Sequence, residues 1–227
     1  MTRKVLMIHG AGGGAWEWNV WRGVFEAEGF ACEVLDLAAV EGGIGATRFE
    51  NYSGQVGRVA REGDVLVGAS LGGLLALACA AAVRPAALVL VNAMPPAPWQ
   101  SMLPAREAYP DVVPWGSEAS LAGTRKAMPD ADDAACLYAF RRWRDESGAV
   151  MNVARSGVPV ERPACPVLVM ASSDDEDVPA AASAALADAY AASLIRIPGT
   201  SHVGPLLGRN AAGCATQAIA WLRTTIT

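Results

Sequence analysis

The stretch Val65-Leu-Val-Gly-Ala-Ser-Leu-Gly-Gly-Leu-Leu-Ala-Leu77 decides the fold. An aliphatic run leads into a Gly-x-Ser-x-Gly pentapeptide centred on Ser70, and an apolar helical run begins at Leu71. Small residues at positions 68 and 72 let a strand and a helix approach closely, while the serine hydroxyl stands out from a tight turn. The pentapeptide alone is a weak signal, but these flanks predict a strand, a nucleophile turn and a helix.

Short aliphatic runs alternate with helical runs on both sides of this stretch. Such alternation indicates an α/β fold with a mostly parallel, doubly wound sheet. The predicted strands are Lys4–His9, Glu33–Leu37, Asp64–Gly68, Ala87–Asn92, Val167–Ala171 and Leu194–Ile197. The predicted helices are Trp16–Glu28, Tyr52–Arg61, Leu71–Val83, Pro179–Tyr190 and Asn210–Thr225.

Residues 94–162, the inserted segment, interrupt the alternation. They are rich in Pro, Trp, Met and charge and contain no aliphatic strand run. We therefore predict a core of residues 1–93 and 163–227 with a small helical cap inserted between them. Apolar residues at helical spacing usually face a core, and most of those in the cap are expected to do so. Taken as a set, the apolar residues of the cap predict an apolar substrate pocket. The predicted substrate-binding residues are Trp99, Met102, Trp115, Met128 and Trp143.

Composition argues against several classes of function. The formal charge is −5 without a Lys/Arg cluster, which disfavours nucleic-acid binding. Five cysteines without a C-x-x-C pair indicate neither a disulfide framework nor a zinc site. No apolar run reaches the length of a membrane span, and the apolar run Val5–Ile8 after Met1-Thr-Arg-Lys is shorter than a signal-peptide core. We expect a cytoplasmic protein without membrane association.

A serine nucleophile needs a base within hydrogen-bonding reach. The chain has only two histidines, His9 and His202. His202 follows the last predicted strand, where the base falls in the chain order serine, acid, histidine. Hence His202 is the predicted base of Ser70.

The acid that orients the imidazole should follow the penultimate strand, where four carboxylates occur between positions 174 and 177. We predict Asp175, with Asp174 as the open alternative. This assignment leaves Asp177 to act at the start of the next helix, with Pro179 in its first turn.

Two backbone N–H groups should bind the oxyanion that forms during acyl transfer. Leu71, directly after the nucleophile, and Ala11, in the loop after the first strand, hold the required places. The same loop, Gly10-x-Gly12-x-x-Ala15 with an Asp about 20 residues on, also matches a dinucleotide-binding fingerprint. Two nearby tryptophans, and a lack of Tyr-x-x-x-Lys, argue against nucleotide binding.

These residues together resemble the α/β-hydrolases and, within them, the plant methylesterase and hydroxynitrile lyase group. The segment His9-Gly-Ala-Gly-Gly-Gly-Ala-Trp-Glu-Trp18 resembles H-G-A-x-H-G-[AG]-W-x-W of that group. Three departures are Gly13 and Ala69 in place of histidines and Val203 in place of the lysine of the lyases. The resemblance implies a Ser, Asp and His triad at Ser70, Asp175 and His202, with Ala11 and Leu71 as oxyanion donors.

The expected reaction is hydrolysis of a small carboxylic ester through an acyl-enzyme, without a metal ion or an organic cofactor. The same triad serves thioesters and lactones, so a thioesterase or lactonase remains an alternative. A third alternative is a hydrolase-like receptor that binds a small ligand and turns it over slowly.

Overall fold

The computed structural model describes residues 4–226. Most of the Met1-Thr-Arg-Lys start, on which the signal-peptide argument depends, lies outside these residues, and the cytoplasmic location stays a prediction. Among the described residues, none of the helices combines the length and the apolar character needed to cross a membrane.

The strands in chain order are β1 (Lys4–Ile8), β2 (Ala31–Leu35), β3 (Val65–Ala69), β4 (Ala87–Val91), β5 (Val112–Val113), β6 (Glu146–Ser147), β7 (Val167–Ser172) and β8 (Ser193–Ile197). The helices are α1 (Asn19–Ala27), α2 (Phe49–Val59), α3 (Leu71–Val83), α4 (Leu121–Ala127), α5 (Asp133–Phe140), α6 (Gly148–Ser156), α7 (Ala180–Tyr190), α8 (Gly204–Leu207) and α9 (Ala211–Thr225).

Six of these strands form one sheet in the order β2-β1-β3-β4-β7-β8, and every neighbouring pair is parallel. Alternate strand residues enter two separate cores, one on each face. Helices α1 and α9 cover one face, whereas α2, α3 and α7 cover the other. The predicted doubly wound α/β fold is therefore confirmed.

The strand order places the loops that carry the predicted site beside each other. The chain moves from β1 outward to β2 and then returns past β1 to β3, so the order reverses between β1 and β3. In open parallel sheets, ligands bind in the crevice at the carboxyl ends of the strands at such a reversal. The loop after β1 and the turn after β3 flank this crevice.

The inserted segment contains α4, α5 and α6, a short 3-10 helix at Trp99–Met102 and the antiparallel pair β5 and β6. The predicted helices are present, and the structure adds two strands of only two residues each, too short to form an aliphatic run in the sequence. Side chains of α6 belong to the main core, whereas α4 and α5 share a small cluster of their own.

Three predicted elements have bounds that differ by two residues or more in the structure. The second helix is Phe49–Val59 rather than Tyr52–Arg61. The second strand is Ala31–Leu35 rather than Glu33–Leu37, because this half-exposed edge strand pairs with β1 from Lys4↔Ala31 onward. The first helix is split into a 3-10 turn at Ala15–Trp18 and an α-helix that begins at Asn19.

Candidate active site

Ser70 lies on a strained turn between β3 and α3, with φ 50° and ψ −119°. Its N–H donates to the carbonyl oxygen of Val91 at 3.0 Å, and its own carbonyl accepts from the N–H of Met94 at 3.0 Å. Glycine is required nearby, since a Cβ at Gly72 would overlap the carbonyl of Ile8 in β1. The tight packing holds the serine in a left-handed conformation that side chains rarely adopt.

The predicted base lies directly beside the predicted nucleophile. Nε2 of His202 is 2.9 Å from Oγ of Ser70, and Nδ1 is 2.7 Å from Oδ2 of Asp175. With the proton on Nδ1, the imidazole donates to the carboxylate and accepts the serine hydroxyl proton at Nε2. The three residues form one continuous series of hydrogen bonds.

Asp175 is held in place from its other side. Its side chain is fully shielded from solvent, and Oδ1 accepts the N–H groups of Asp177 at 2.9 Å and Val178 at 2.8 Å. Asp174, the alternative acid, is exposed and accepts a hydrogen bond from the hydroxyl of Ser173. Of the two candidates, the structure brings only Asp175 to the histidine.

Asp177 does not cap the next helix as predicted. Its carboxylate pairs with Arg106 at 2.6 Å, and α7 begins at Ala180 with Pro179 at the N-cap position.

The charge state of His202 is set by two opposed effects. Burial disfavours the imidazolium and lowers the pKa, but the hydrogen bond and negative charge of Asp175 outweigh burial and raise the pKa above its usual 6.5. Asp177 and Glu17 add to this increase through their charges.

His9, the other histidine, contacts backbone groups of the protein through both ring nitrogens. Its Nδ1 lies 2.8 Å from the carbonyl oxygen of Gly10, and its Nε2 accepts the N–H of Leu37 at 2.9 Å. This pattern assigns the ring proton to Nδ1. Both nitrogens are thus used to hold the loop after β1.

Asn92, at the end of β4, joins the loops of the site and was not singled out from the sequence. Its side-chain amide donates to the hydroxyl of Ser172 at 2.9 Å and to the carbonyl of His202 at 2.7 Å, while its oxygen accepts the N–H of Ser172 at 2.9 Å. The residue is buried and has φ 43°. It ties the end of β7 and the histidine loop to the centre of the sheet.

Residues 10–14, the glycine loop, lie against the nucleophile. A Cβ at Gly10 would come within 3.2 Å of the Cβ of Ser70. The N–H of Ala11 has no hydrogen-bond partner within residues 4–226. Leu71 is the first residue of α3, so its N–H has no acceptor within the helix. Both predicted oxyanion donors are therefore free to bind an oxygen at the serine.

The inserted segment fastens the glycine loop to the core. The backbone N–H of Arg144 donates to the carbonyl of Gly12 at 2.8 Å, and its guanidinium donates to the carbonyl of Gly13. The buried carboxylate of Glu146 accepts the N–H of Gly12 at 3.0 Å and the hydroxyl of Tyr52 at 2.9 Å. In the sequence, Arg141, Arg142 and Arg144 form a charge run of the kind that is usually solvated, but Arg144 binds the glycine loop instead.

Asp36 is the acid of the dinucleotide fingerprint, and its carboxylate already accepts hydrogen bonds from the protein. Its carboxylate accepts from the guanidinium of Arg144 at 2.9 Å and from the N–H of Ala15 at 3.1 Å. The helix that should begin at the glycines to bind a pyrophosphate is replaced by the 3-10 turn Ala15–Trp18. This geometry does not fit a bound dinucleotide.

Glu17 is a second buried group of the site whose pKa is raised. Burial raises the pKa of its carboxyl to about 7, although His9, the N–H of Gly10 and His202 oppose the shift. The carboxylate occupies the space beside Gly13, where any side chain would overlap it. Gly13 stands where the resembling group has a histidine, so here an acid fills that place.

A cavity of about 530 Å³ opens above the serine. Ser70, His202 and Ala11 form part of its wall together with mainly apolar residues of the inserted segment. Trp115 and Trp143 of the predicted substrate-binding residues line it.

The other three predicted substrate-binding residues do not line this cavity. Trp99 packs on the ring of Tyr190, Met102 is 41% exposed, and Met128 is buried within the cluster of α4 and α5. These three residues pack within the protein or face solvent. Their positions could not be predicted, because helical spacing alone does not say which neighbour covers an apolar side chain.

Asp175, Asp177 and His202 are the described residues whose ligand atoms lie close enough to hold a metal ion, within 4.8 Å of one another. Both ring nitrogens of His202 already face protein partners, and Asp177 pairs with Arg106. The donor set is thus committed to the serine, histidine and aspartate series, and the expected absence of a metal stays a prediction.

Glu146→Gln is expected to lower kcat about tenfold or more. The loss should be smaller than that caused by removing an oxyanion donor, which lowers kcat about 10²- to 10³-fold. Glu146 accepts from Gly12, Tyr52 and Ser147, and an amide would present a donor to one of them. The free energy of unfolding should fall by about 1–3 kcal/mol. Kinetics and urea unfolding test this beside Glu161→Gln, an exposed control; equal behaviour of both variants would contradict the proposed loop support.

Comparisons with known proteins agree with this architecture. The family model described as "Alpha/beta hydrolase family" matches residues 5–217. A search of curated proteins gives no match.

Several solved structures are similar over nearly the whole chain. Tomato methylketone synthase I, complexed with 2-tridecanone, has a TM-score of 0.77 and 14% identity, covering 99% of both chains. A pyrethroid hydrolase from Sphingobium faniae JZ-2 has a TM-score of 0.73 and 19% identity over 99% of this chain and 98% of that one. A methylesterase from Arabidopsis has a TM-score of 0.71 and 15% identity, covering 97% and 100%. At these identities the likeness concerns the fold.

Proposed function

The chain belongs to the alpha/beta hydrolase family, and from this premise we propose that it is a serine hydrolase that cleaves a small carboxylic ester. The observation that carries the proposal is the hydrogen-bonded series of Ser70, His202 and Asp175 at the wall of the cavity. A serine within 2.9 Å of an imidazole, which in turn is oriented by a buried carboxylate, is the arrangement that activates a hydroxyl for attack.

In the first half-reaction, His202 takes the proton of Ser70 as Oγ attacks the ester carbonyl. The N–H groups of Ala11 and Leu71 bind the oxyanion of the tetrahedral intermediate. The imidazolium, stabilised by Asp175, then gives its proton to the alcohol, which leaves as the acyl-enzyme forms.

Water enters for the second half-reaction. His202 takes a proton from the water as it attacks the acyl carbonyl, and the same two N–H groups bind the new oxyanion. Collapse of the intermediate returns the proton to Oγ of Ser70 and releases the acid. This cycle uses only residues of the chain and water, and the absence of a cofactor stays a prediction.

The cavity supports a small, largely apolar substrate. We propose that the inserted segment acts as a cap, because it supplies most of the cavity wall and also holds the glycine loop. Ester chemistry is favoured over the thioester and lactone alternatives by the names of similar structures, a methylesterase and a pyrethroid hydrolase. A slow receptor is disfavoured by the complete set of aligned catalytic groups.

The test is hydrolysis of short and medium p-nitrophenyl esters by the wild-type protein beside Ser70→Ala. Turnover that disappears in the variant supports a serine esterase, and the preferred chain length then measures the depth of the cavity. If the folded wild-type protein hydrolyses none of the esters, the proposal fails.

A further inference from the structure

The wall of the cavity carries two arginines besides its apolar residues, Arg106 and Arg155. Arg106 has a partner, since its guanidinium lies 2.6 Å from the carboxylate of Asp177. Arg155 has none of this kind: within residues 4–226, no carboxylate lies at ion-pair distance from it, and its side chain donates to the carbonyl oxygen of Pro104.

Arg155 is half-buried, so its charge is partly removed from water. A guanidinium has five N–H donors, and one carbonyl contact leaves most of them without a protein acceptor. A cation placed in this way in an otherwise mainly apolar wall binds a carboxylate well, because charge-assisted, two-pronged hydrogen bonds recover the lost hydration. The other unpaired charge of the wall, Glu118, is exposed and lies outside α6.

Both Ser70 and Arg155 line the cavity. Helix α6 begins two residues after Glu146, whose carboxylate binds Gly12 in the glycine loop. Arg155 follows the first residue of this helix by seven positions, a rise of about 10 Å. A ligand that reaches from the serine to the arginine therefore has several bonds between its ester carbonyl and its carboxylate.

We propose that the substrate is an ester whose acyl chain bears a terminal carboxylate, a half-ester of a dicarboxylic acid, and that Arg155 binds this carboxylate. The inference rests on the proposed function and narrows its substrate class. A single unpaired guanidinium matches one negative charge, which favours a carboxylate over a phosphate dianion.

The test compares monomethyl adipate with methyl hexanoate, which differ by a carboxylate in place of the terminal methyl group. Wild type is expected to hydrolyse monomethyl adipate with kcat/KM about 10- to 100-fold above methyl hexanoate, the range of a charge-assisted hydrogen bond. Arg155→Gln should abolish this preference, mainly through a higher KM for monomethyl adipate. Arg155→Lys should restore part of it. Arg196→Gln removes an equal charge from an exposed residue outside the cavity and should change nothing.

A preference of wild type for methyl hexanoate, or an unchanged preference in Arg155→Gln, would overturn the inference while the esterase proposal stands. Binding separates the two ideas further. In the Ser70→Ala background, calorimetry should show binding of monomethyl adipate that is weakened about 10- to 100-fold by Arg155→Gln. If wild type hydrolyses neither ester but this Arg155-dependent binding is present, the proposed function fails and the carboxylate site remains. Absence of such binding overturns the site.

Discussion

Ser70→Ala and His202→Ala are each expected to lower kcat for ester hydrolysis about 10⁶-fold, and the double variant no further. The two side chains act as one unit, because Oγ is a weak nucleophile until Nε2, 2.9 Å away, takes its proton. Removing either group therefore removes the whole advantage. Steady-state rates of the two single variants and the double variant, on one p-nitrophenyl ester, measure this directly.

Folding must be intact for this comparison to count, so each variant should match wild type in circular dichroism and urea unfolding. Multiplicative losses in the double variant would mean that the serine and the histidine act independently. Such a result would contradict the shared mechanism even if each single variant were slow.

Asp175→Asn is expected to lower kcat about 10⁴-fold, whereas Asp174→Asn should remain near wild type. An asparagine at 175 can donate to Nδ1 of His202 and so hold the imidazole in the wrong tautomer. Asp174 is the matched control, since it is the adjacent carboxylate and is exposed. The reverse order of effects would assign the acid to position 174.

The pH profile follows from the same contact. Only neutral His202 can act as base, and its pKa is raised above 6.5, so kcat/KM should fall as pH drops through a value above 6.5. In Asp175→Asn the raising hydrogen bond and charge are lost, and this acidic limb should move to lower pH. Glu17→Gln removes a second buried group, whose pKa is raised to about 7; a limb that disappears in this variant would assign the titration to Glu17.

The fold and the central residues could be predicted because their signals are local. The stretch around Ser70 shows strand, turn and helix within thirteen residues, and the chain order of the triad members limits the choice of base to His202. Helix α3 has the predicted bounds, Leu71–Val83, because a continuous apolar run buried on all sides has little freedom to start elsewhere.

The supports of the site could not be predicted because they join distant parts of the chain. Glu146 binds Gly12 across 134 positions, and Asn92 binds the carbonyl of His202 across 110. A buried glutamate between polar residues looks in the sequence like any solvated acid. Only the tertiary structure shows that its carboxylate is used by three donors.

The residues of the cavity wall were the least predictable feature. Trp115 and Trp143 line the cavity, whereas Met102 and Met128 do not. Apolar composition identifies the inserted segment as a source of a pocket, but the side that each residue presents depends on how short helices pack on the core. Arg155 was not singled out from the sequence for the same reason. Only the tertiary structure shows that this arginine lines the cavity without a carboxylate partner.

The most direct test of an acyl-enzyme at Ser70 is the mass of the protein after a brief reaction with a p-nitrophenyl ester that is stopped with acid. We expect an increase equal to one acyl group, carried by the peptide that contains Ser70, and no such adduct on Ser70→Ala. An acyl group on another residue, or rapid hydrolysis that continues in Ser70→Ala, would contradict it.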